Sequence, residues 1–303
     1  MVRWTASNIS SQKGRLAVVT GTGGLGYEDA LALSQAGAEV VIAGRDPAKG
    51  AMAVEKIRTR LPSAQVRFEK LDLASLHSVA GFCHRLSTQT DRLDLLINNA
   101  GVMMPPKRLE TEDGFEMQIG TNHLGHFALT AGLMPLLRRA HKARVISVSS
   151  VAARNGVIDF DNLNAERRYN PMRIYSQSKL ACLMFALELH RRSEAAGWGV
   201  ASIASHPGVA RTDLIYNAPG RQSLLGMTRS TLWFLFQPVW QGALPTLLAA
   251  TSPLAHSGAY YGPDGLSEVR GYPASARIPE AALDIKASAR LWEASQALTG
   301  VAF

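Results

Sequence analysis

The chain first shows its architecture in the stretch Arg15-Leu16-Ala17-Val18-Val19-Thr20-Gly21-Thr22-Gly23-Gly24-Leu25-Gly26. The valine-rich run before Gly21 predicts a short buried strand, and the glycines predict a sharp turn. Residues 27–37 then have apolar positions at helical spacing and end at Gly37, in a C-cap position. A second apolar run, Glu39-Val40-Val41-Ile42-Ala43, follows at once. Strand, glycine turn, helix and strand together predict a βαβ unit.

The glycine turn of this unit predicts a dinucleotide site. Glycines let the backbone approach a pyrophosphate, which is held by the N-terminal amides of the helix. A G-x-G-x-x-G pattern is weak alone, but between two predicted strands it is far more specific. A glycine-rich turn without a ligand is the alternative. The residues expected to contact the cofactor are Gly21, Thr22, Gly23, Gly24, Leu25 and Gly26.

The tip of the second predicted strand carries Gly44-Arg45-Asp46. Sites that prefer NAD place a carboxylate there for the ribose 2′-hydroxyl, whereas a 2′-phosphate needs a basic residue. Gly44 removes the carboxylate and Arg45 supplies the cation, so we expect NADP(H) to be favoured over NAD(H). Asp46 is expected to cap the helix that starts at Pro47 rather than to bind ribose.

Strands and helices alternate along the rest of the chain. Further strands are predicted at 66–71, 93–97, 143–150, 200–205 and within 258–265. The alternation predicts one α/β domain over residues 1–303, with a Rossmann-type doubly wound parallel sheet of about seven strands. Residues 14–150 would form the dinucleotide-binding half, and residues 151–303 the catalytic and substrate-binding half. An apolar, aromatic stretch after strand six predicts a lid over the substrate pocket at about 211–240.

Two more strand ends offer cofactor contacts. Asp72-Leu73 ends the third strand, near the expected position of an adenine. The fourth strand ends in Asn98-Asn99-Ala100-Gly101, whose small residues let a ligand approach the backbone. The expected contacts are Asp72, Leu73, Asn99, Ala100 and Gly101.

A predicted helix begins with the pattern Arg173-Ile174-Tyr175-Ser176-Gln177-Ser178-Lys179. Tyr175 and Lys179 are four positions apart, so they share one helix face about one turn apart. An ammonium beside a phenol favours its ionised form, which provides a proton donor and acceptor usable near neutral pH. The pattern is weak alone, and an ordinary amphipathic helix is the alternative. Asn122, near the start of a long predicted helix from Gly120, is a second candidate, because a buried helical amide is costly without a use.

Composition and charge limit the function classes. With 47% hydrophobic and 18% charged residues, the chain is typical of a globular protein with a large core. Its net charge is +8, but Lys and Arg are scattered singly, which favours a polyanionic small molecule over nucleic acid as the partner. Cys83 and Cys182 lack metal-ligand spacing, and no metal is expected at His123 or His126. The sequence shows no signal peptide and no run long enough to span a membrane, so we expect a reduced, cytoplasmic protein.

Together, these motifs resemble the short-chain dehydrogenase/reductase superfamily over essentially the full chain. In chain order they are Thr20-Gly21…Gly24-Leu25-Gly26, Asn98-Asn99-Ala100-Gly101, Asn122, Ser150, Tyr175…Lys179 and Pro207-Gly208. The gap of 25 positions from Ser150 to Tyr175 (175 − 150) is longer than is usual in that family. With residues 149–152, 206–212 and 260–265, this gap resembles the retinol dehydrogenase/protochlorophyllide reductase-like branch.

The resemblance implies an NADP(H)-dependent carbonyl reductase or alcohol dehydrogenase that acts on an apolar ketone or aldehyde and its alcohol. It implies that Tyr175 transfers a proton to or from the substrate oxygen, Lys179 binds the nicotinamide ribose, and Ser150 donates to the substrate oxygen. It further implies that Asn122 holds a water in a proton relay. Pairing of long helices into a homo-oligomer is another expectation from the family. The residues expected to flank the carboxamide and phosphates are Pro207, Gly208, Val209 and Thr212.

One departure from the family is the glycine loop, which is one residue shorter than T-G-x-x-x-G-x-G. Either the extra glycine restores the turn along a tighter path, or phosphate binding is weakened. Two other functions stay open. A dinucleotide-binding sensor or scaffold without catalysis would need none of the four catalytic candidates. A sugar-nucleotide epimerase shares the Tyr/Lys pair, but 303 residues leave little room for its usual second domain.

Overall fold

A computed structural model of the chain describes residues 3–210 and 237–303. These residues form the predicted α/β domain, built on one eight-stranded sheet. The lid predicted at about 211–240 lies almost wholly outside the described residues, and so does Thr212.

The sheet confirms the doubly wound arrangement. Its order is β3-β2-β1-β4-β5-β6-β7-β8, and the first seven strands are parallel. The prediction of about seven strands missed β8, which pairs antiparallel with β7. Three partly buried or exposed residues give β8 no apolar alternation, so the sequence carries no signal for it. The strands are β1 (Leu16–Thr20), β2 (Glu39–Gly44), β3 (Val66–Lys70), β4 (Leu95–Asn98), β5 (Arg144–Val148), β6 (Ala201–Ser205), β7 (Tyr260–Pro263) and β8 (Pro273–Ser275).

The helices pack on the sheet in chain order. They are α1 (Gly24–Gln35), α2 (Pro47–Arg60), α3 (Leu76–Gln89), α4 (Met117–Ile119), α5 (Gly125–Arg139), α6 (Pro171–Ala196), α7 (Val239–Thr251), α8 (Glu280–Leu283) and α9 (Ile285–Thr299). A π-helical turn, Gly120–Leu124, joins α4 to α5, so the long helix predicted from Gly120 is irregular in its first turn. A 3₁₀ segment, Val151–Asn155, follows β5. Across residues 3–210 and 237–303, every helix is too short or too polar to cross a bilayer.

Two apolar layers cover the sheet. Val18 and Val19 are adjacent in β1 and fully buried, and they point to opposite faces because side chains alternate along a strand. Val18 belongs to the layer that contains Phe127 of α5. Val19 belongs to the layer that contains Leu33 of α1 and Leu247 of α7. Because apolar layers cover both faces of the sheet, the polar loop segments lie at the carboxyl ends of the parallel strands.

The strand order also fixes where a ligand can enter. The chain runs outward from β1 to β3 on one side and from β4 to β7 on the other. Loops that follow β1 and β4 therefore diverge and leave a crevice at the carboxyl ends of these two strands.

Candidate active site

A cavity of about 930 Å³ opens at this carboxyl edge. Segments that follow each of β1 to β6, together with α6, form its described walls. Gly26, a predicted cofactor contact, does not line the cavity. The predicted cofactor residues that line it are Gly21, Thr22, Gly23, Gly24, Leu25, Arg45, Asp72, Leu73, Asn99, Ala100, Gly101, Tyr175, Lys179, Pro207, Gly208 and Val209.

The shortened glycine loop turns through two residues in the left-handed region. Gly21 has a φ of +102° and Gly24 a φ of +54°, and Gly23 is the N-cap of α1. A Cβ on Gly26 would lie 2.6 Å from the carbonyl oxygen of Gly21. Gly26 therefore lets α1 pack closely against its own loop, and does not itself face the cavity.

Two cations lie beside the tip of β2. Arg45 and Lys49 are exposed and both line the cavity. Asp46 caps α2 as predicted, because its Oδ1 accepts the backbone N–H groups of Ala48 at 3.0 Å and Lys49 at 3.1 Å. Sequence reasoning missed Lys49, although its position in the first turn after Asp46 could have indicated it.

A hydrogen-bonded chain joins the glycine loop to the π-helical turn. Thr20 Oγ1 accepts the backbone N–H groups of Asn99 at 2.9 Å and Ala100 at 3.0 Å. His126 Nδ1 lies 2.9 Å from the carbonyl oxygen of Asn122, which can only accept, so Nδ1 carries the proton. Thr20 Oγ1 therefore donates to His126 Nε2, 2.9 Å away. Burial lowers the pKa of His126 to about 4, which keeps this neutral tautomer in place.

Asn122 lies behind the cavity wall. It is 1% exposed, and its Nδ2 donates to Val102 O and Ser178 Oγ, both at 2.9 Å. Its Oδ1 accepts the backbone N–H of Val102 at 2.7 Å, and its backbone oxygen also accepts the thiol of Cys182 at 3.1 Å. These contacts fix the segment after β4 against α6, in a π-turn of the kind often found at functional sites. The water relay at Asn122 stays a prediction.

Tyr175 and Lys179 line the cavity from α6 and are almost fully buried. Lys179 Nζ donates to the carbonyl oxygen of Val148 at 3.0 Å, and an ammonium has two further donors. A Cβ on Gly101 would lie 3.5 Å from this Nζ, so the ammonium stands beside the segment after β4. Lys179 is thus placed between the carboxyl ends of β4 and β5.

Ser150 lines the same cavity and lies two positions after the end of β5. Its Oγ accepts the backbone N–H of Ala152 at 3.2 Å, which makes Ser150 the N-cap of the 3₁₀ segment. Ser149 Oγ donates to the backbone oxygen of Lys179 at 2.7 Å and so clamps α6 to β5. The strand end and the helix together bring Ser150, Tyr175 and Lys179 to one cavity.

Fold and cavity define the class of α/β proteins with a Rossmann-type dinucleotide site. The profile of the short chain dehydrogenase family matches residues 15–221. The chain is 41% identical to retinol dehydrogenase 13 of Homo sapiens and 39% identical to polyprenol dehydrogenase of Mus musculus, in each case over 95% of this chain and 85% of the relative. The solved structure of an uncharacterized protein from Mycobacterium paratuberculosis is 38% identical, with a TM-score of 0.82 over 100% of this chain and 99% of that one. The chain therefore belongs to the short-chain dehydrogenase/reductase family of oxidoreductases, in its retinol dehydrogenase-like branch.

Proposed function

We propose that the protein uses NADP(H) to interconvert an apolar ketone or aldehyde and its alcohol by hydride transfer. The observation that supports this most is that Ser150, Tyr175 and Lys179 line the same cavity as the glycine loop. A developing alkoxide needs a positioned acid and a second hydrogen-bond donor, and these residues offer both. A dinucleotide-binding sensor would need neither.

Side chains of the protein itself transfer the proton to or from the substrate oxygen. When bound, the cofactor supplies or accepts the hydride. In the reducing direction, the Tyr175 hydroxyl donates its proton to the substrate oxygen, while the Ser150 hydroxyl donates a hydrogen bond to the same oxygen. The ammonium of Lys179 stabilises the resulting phenolate, and its remaining donors are available to ribose hydroxyls. The contact from Lys179 to Val148 O holds that ammonium at the strand end.

The apolar residues in the cavity lining support an apolar substrate. Small-molecule pockets of this kind bury ligands against apolar side chains and orient them with a few polar groups. Two relatives are named for retinol and for polyprenol, both of which are largely hydrocarbon. These apolar residues follow β4, follow β5 or begin α6, and they are Val102, Met103, Pro105, Val151 and Met172.

The charges at the β2 tip support NADP(H). Arg45 and Lys49 offer two cations to a 2′-phosphate, and the Asp46 carboxylate is engaged in capping α2. We expect NADPH to bind more tightly than NADH. Arg45→Ala and Lys49→Ala should each weaken NADPH about tenfold, since a hydrogen bond to a charged group contributes about 1.5–3 kcal/mol, while NADH affinity stays unchanged.

Fluorescence titration of both cofactors tests this preference. The control is Lys56→Ala, which removes an exposed cation of α2 that does not line the cavity. Equal affinity of the wild type for NADH and NADPH would contradict the cofactor assignment. If Lys56→Ala weakened NADPH binding as much as Arg45→Ala or Lys49→Ala, the losses would reflect general charge attraction rather than contact with the 2′-phosphate.

Tyr175→Phe tests the chemistry. Removing the hydroxyl should lower turnover by about 10²–10⁴-fold, because the proton donor is lost, while NADPH affinity stays nearly unchanged. Turnover is followed as loss of nicotinamide absorbance with a panel of aldehydes and ketones of increasing apolar size. Tyr272→Phe, which lies outside the cavity lining, is the matched control. Retained turnover would remove Tyr175 from its role, and a wild type that binds NADPH but reduces no carbonyl would favour the sensor.

A further inference from the structure

An ionic network joins two walls of the cavity from behind. Arg154 lies in the 3₁₀ segment that begins after Ser150. His206 immediately precedes Pro207-Gly208, in the segment that lines the cavity after β6. Glu268 belongs to neither wall, because it lies in the loop 264–272 between β7 and β8. Sequence patterns alone give no reason to group these three residues.

The carboxylate of Glu268 contacts both walls through one oxygen. Its Oε2 lies 2.7 Å from Arg154 Nη2 and 2.8 Å from His206 Nε2, and its Oε1 accepts the backbone N–H of Arg277 at 2.9 Å. Arg154 is held a second time, because its Nη1 donates to Ser267 O at 2.9 Å. Partial burial alone would raise the pKa of Glu268, but the hydrogen bonds from His206 and Arg277 and the nearby charge of Arg154 lower it to about 2. The carboxylate is therefore charged at any pH at which an enzyme of this kind is assayed.

The contact with His206 fixes the backbone of the cavity wall. The backbone N–H of Gly208 donates to His206 Nδ1 at 3.2 Å, so the ring proton is on Nε2 and is donated to Glu268. Val209, the next residue in the wall, donates its N–H to Val269 O at 2.7 Å. The loop thus holds Gly208 through a side-chain relay and Val209 through its backbone.

The loop itself adopts a costly conformation at this point. Ser267 and Glu268 both have left-handed backbones, with φ of +53° and +55°, although neither is glycine. A Cβ on Gly262 would lie 2.0 Å from His206 Nε2, so β7 keeps a glycine where the ring lies. Strained residues of this kind persist where the surrounding contacts determine them, and they cluster at functional sites.

We propose that Glu268 is a positioning residue that couples the Ser150 wall to the Pro207–Gly208 wall and so sets the distance between the Ser150 hydroxyl and the segment expected to flank the carboxamide of the cofactor. The inference rests on the proposed function for the chemistry, but the link between the walls is a property of the fold. Without the carboxylate, Arg154 loses its ion pair, and His206 loses the charged acceptor of its Nε2–H. Both walls then move independently.

Hydrogen–deuterium exchange of the full chain tests the link without any turnover. Glu268→Gln should speed exchange of the peptides that cover 151–155 and 206–210, and Arg154→Met should speed only the first. Exchange in α2 should not change in either variant. The control, Glu293→Gln, removes an exposed carboxylate of α9 and should alter neither wall. Faster exchange confined to 264–277, or spread over the whole chain, would overturn the proposal.

Kinetics test the consequence for the reaction. Glu268→Gln should lower kcat about tenfold or more, because small misplacement of reacting groups costs this much. Adding Arg154→Met to Glu268→Gln should cause little further loss, since both break one link. A purely structural role would lower thermal stability and the folded fraction but leave kcat per folded molecule unchanged, and that result would also overturn the proposal. A wild type that reduces no carbonyl would defeat the proposed function, while the exchange result would still decide whether Glu268 links the walls.

Discussion

Asp29 is a fully buried carboxyl group outside the cavity. It lies in α1, three positions after Gly26, and is 0% exposed. Neither carboxyl oxygen has a hydrogen-bond partner among residues 3–210 and 237–303. Burial, with a smaller effect of Glu28, raises its pKa well above the usual value. The side chain is therefore held as a neutral acid over at least part of the acidic range.

We expect Asp29 to make the protein less stable as pH rises. Because the folded-state pKa lies above the unfolded one, the folded chain binds more protons between the two values, so the free energy of unfolding falls with pH across that window. Asp29→Asn keeps the shape without the charge and should remove this fall. Urea unfolding at several pH values measures it, with the exposed Asp91→Asn as control. An unchanged pH slope in the Asp29→Asn variant would contradict the assignment.

Residue type and spacing predicted some site residues but not others. Tyr175 and Lys179 could be found because a helical i, i+4 pair is a local pattern, whereas Ser150 was indicated by the resemblance to a known family. Glu268 could not, because its partners are 62 and 114 positions away (268 − 206 and 268 − 154) and meet it only in the fold. Nothing local to Glu268 marks it as different from any surface carboxylate.

At the scale of elements, α9 is attached by an aromatic cluster. Trp292 of α9 is 3% exposed, and its ring centroid lies 5.1 Å from Phe127 of α5, 5.8 Å from Phe185 of α6 and 4.4 Å from Phe303. The guanidinium of Arg192 lies 4.6 Å from the same ring. The Trp292 side chain thus packs α9 against both α5 and α6, the two long helices that support the site.

Trp292→Ala should lower the free energy of unfolding by about 3–5 kcal/mol, because it removes a large buried ring and leaves a cavity. Trp292→Phe should cost clearly less, since it keeps an aromatic partner. Denaturant unfolding compares the two. NADPH affinity at low temperature should stay close to wild type in both variants, because the cluster does not line the cavity. A small loss in the Trp292→Ala variant would mean that α9 is held elsewhere.

Elements differ in how well the sequence predicts them. The βαβ start was predictable because buried parallel strands are continuous apolar runs and the glycine turn separates them. The π-helical turn at Gly120–Leu124 was not, because residues 118–131 are all buried and leave no amphipathic pattern that would show a change of helix type. The strand β8 was missed because its pairing with β7 depends on backbone contacts rather than on side-chain pattern.

At the scale of the whole molecule, two buried histidines make the free energy of unfolding depend on pH in the acidic range. Burial, with a smaller effect of the neighbouring histidine, lowers the pKa of His123 to about 3. Burial likewise lowers the pKa of His126 to about 4. Both pKa values lie below the unfolded value near 6.5, so the unfolded chain binds more protons as pH falls through that range. Their contribution to stability is present above the unfolded pKa and is lost on acidification.

His123→Gln should reduce this acid sensitivity. One such histidine accounts for about 2 kcal/mol of lost stability between about pH 7 and pH 5, by the difference between its folded and unfolded pKa values. Glutamine can still bond to Ser295, which contacts His123 Nε2 at 2.7 Å, but does not titrate. Unfolding at the two pH values, with the exposed His77→Gln as control, measures the difference. An equal fall in the His123→Gln variant would place the acid sensitivity elsewhere.

The two outermost strands of the sheet have a consequence for how copies of this protein can meet. Strand β3 carries Arg67 and Glu69, and Arg67 is also paired with Glu39 of the neighbouring strand. At the opposite border, β8 is only three residues long and begins with Pro273, which has no N–H to offer. Charged, short or proline-bearing borders discourage a foreign strand from extending a sheet. Pairing of a strand from a second copy is therefore disfavoured at both borders of the sheet, and with it the growth of fibrils. Helical surfaces are the remaining places at which copies could associate.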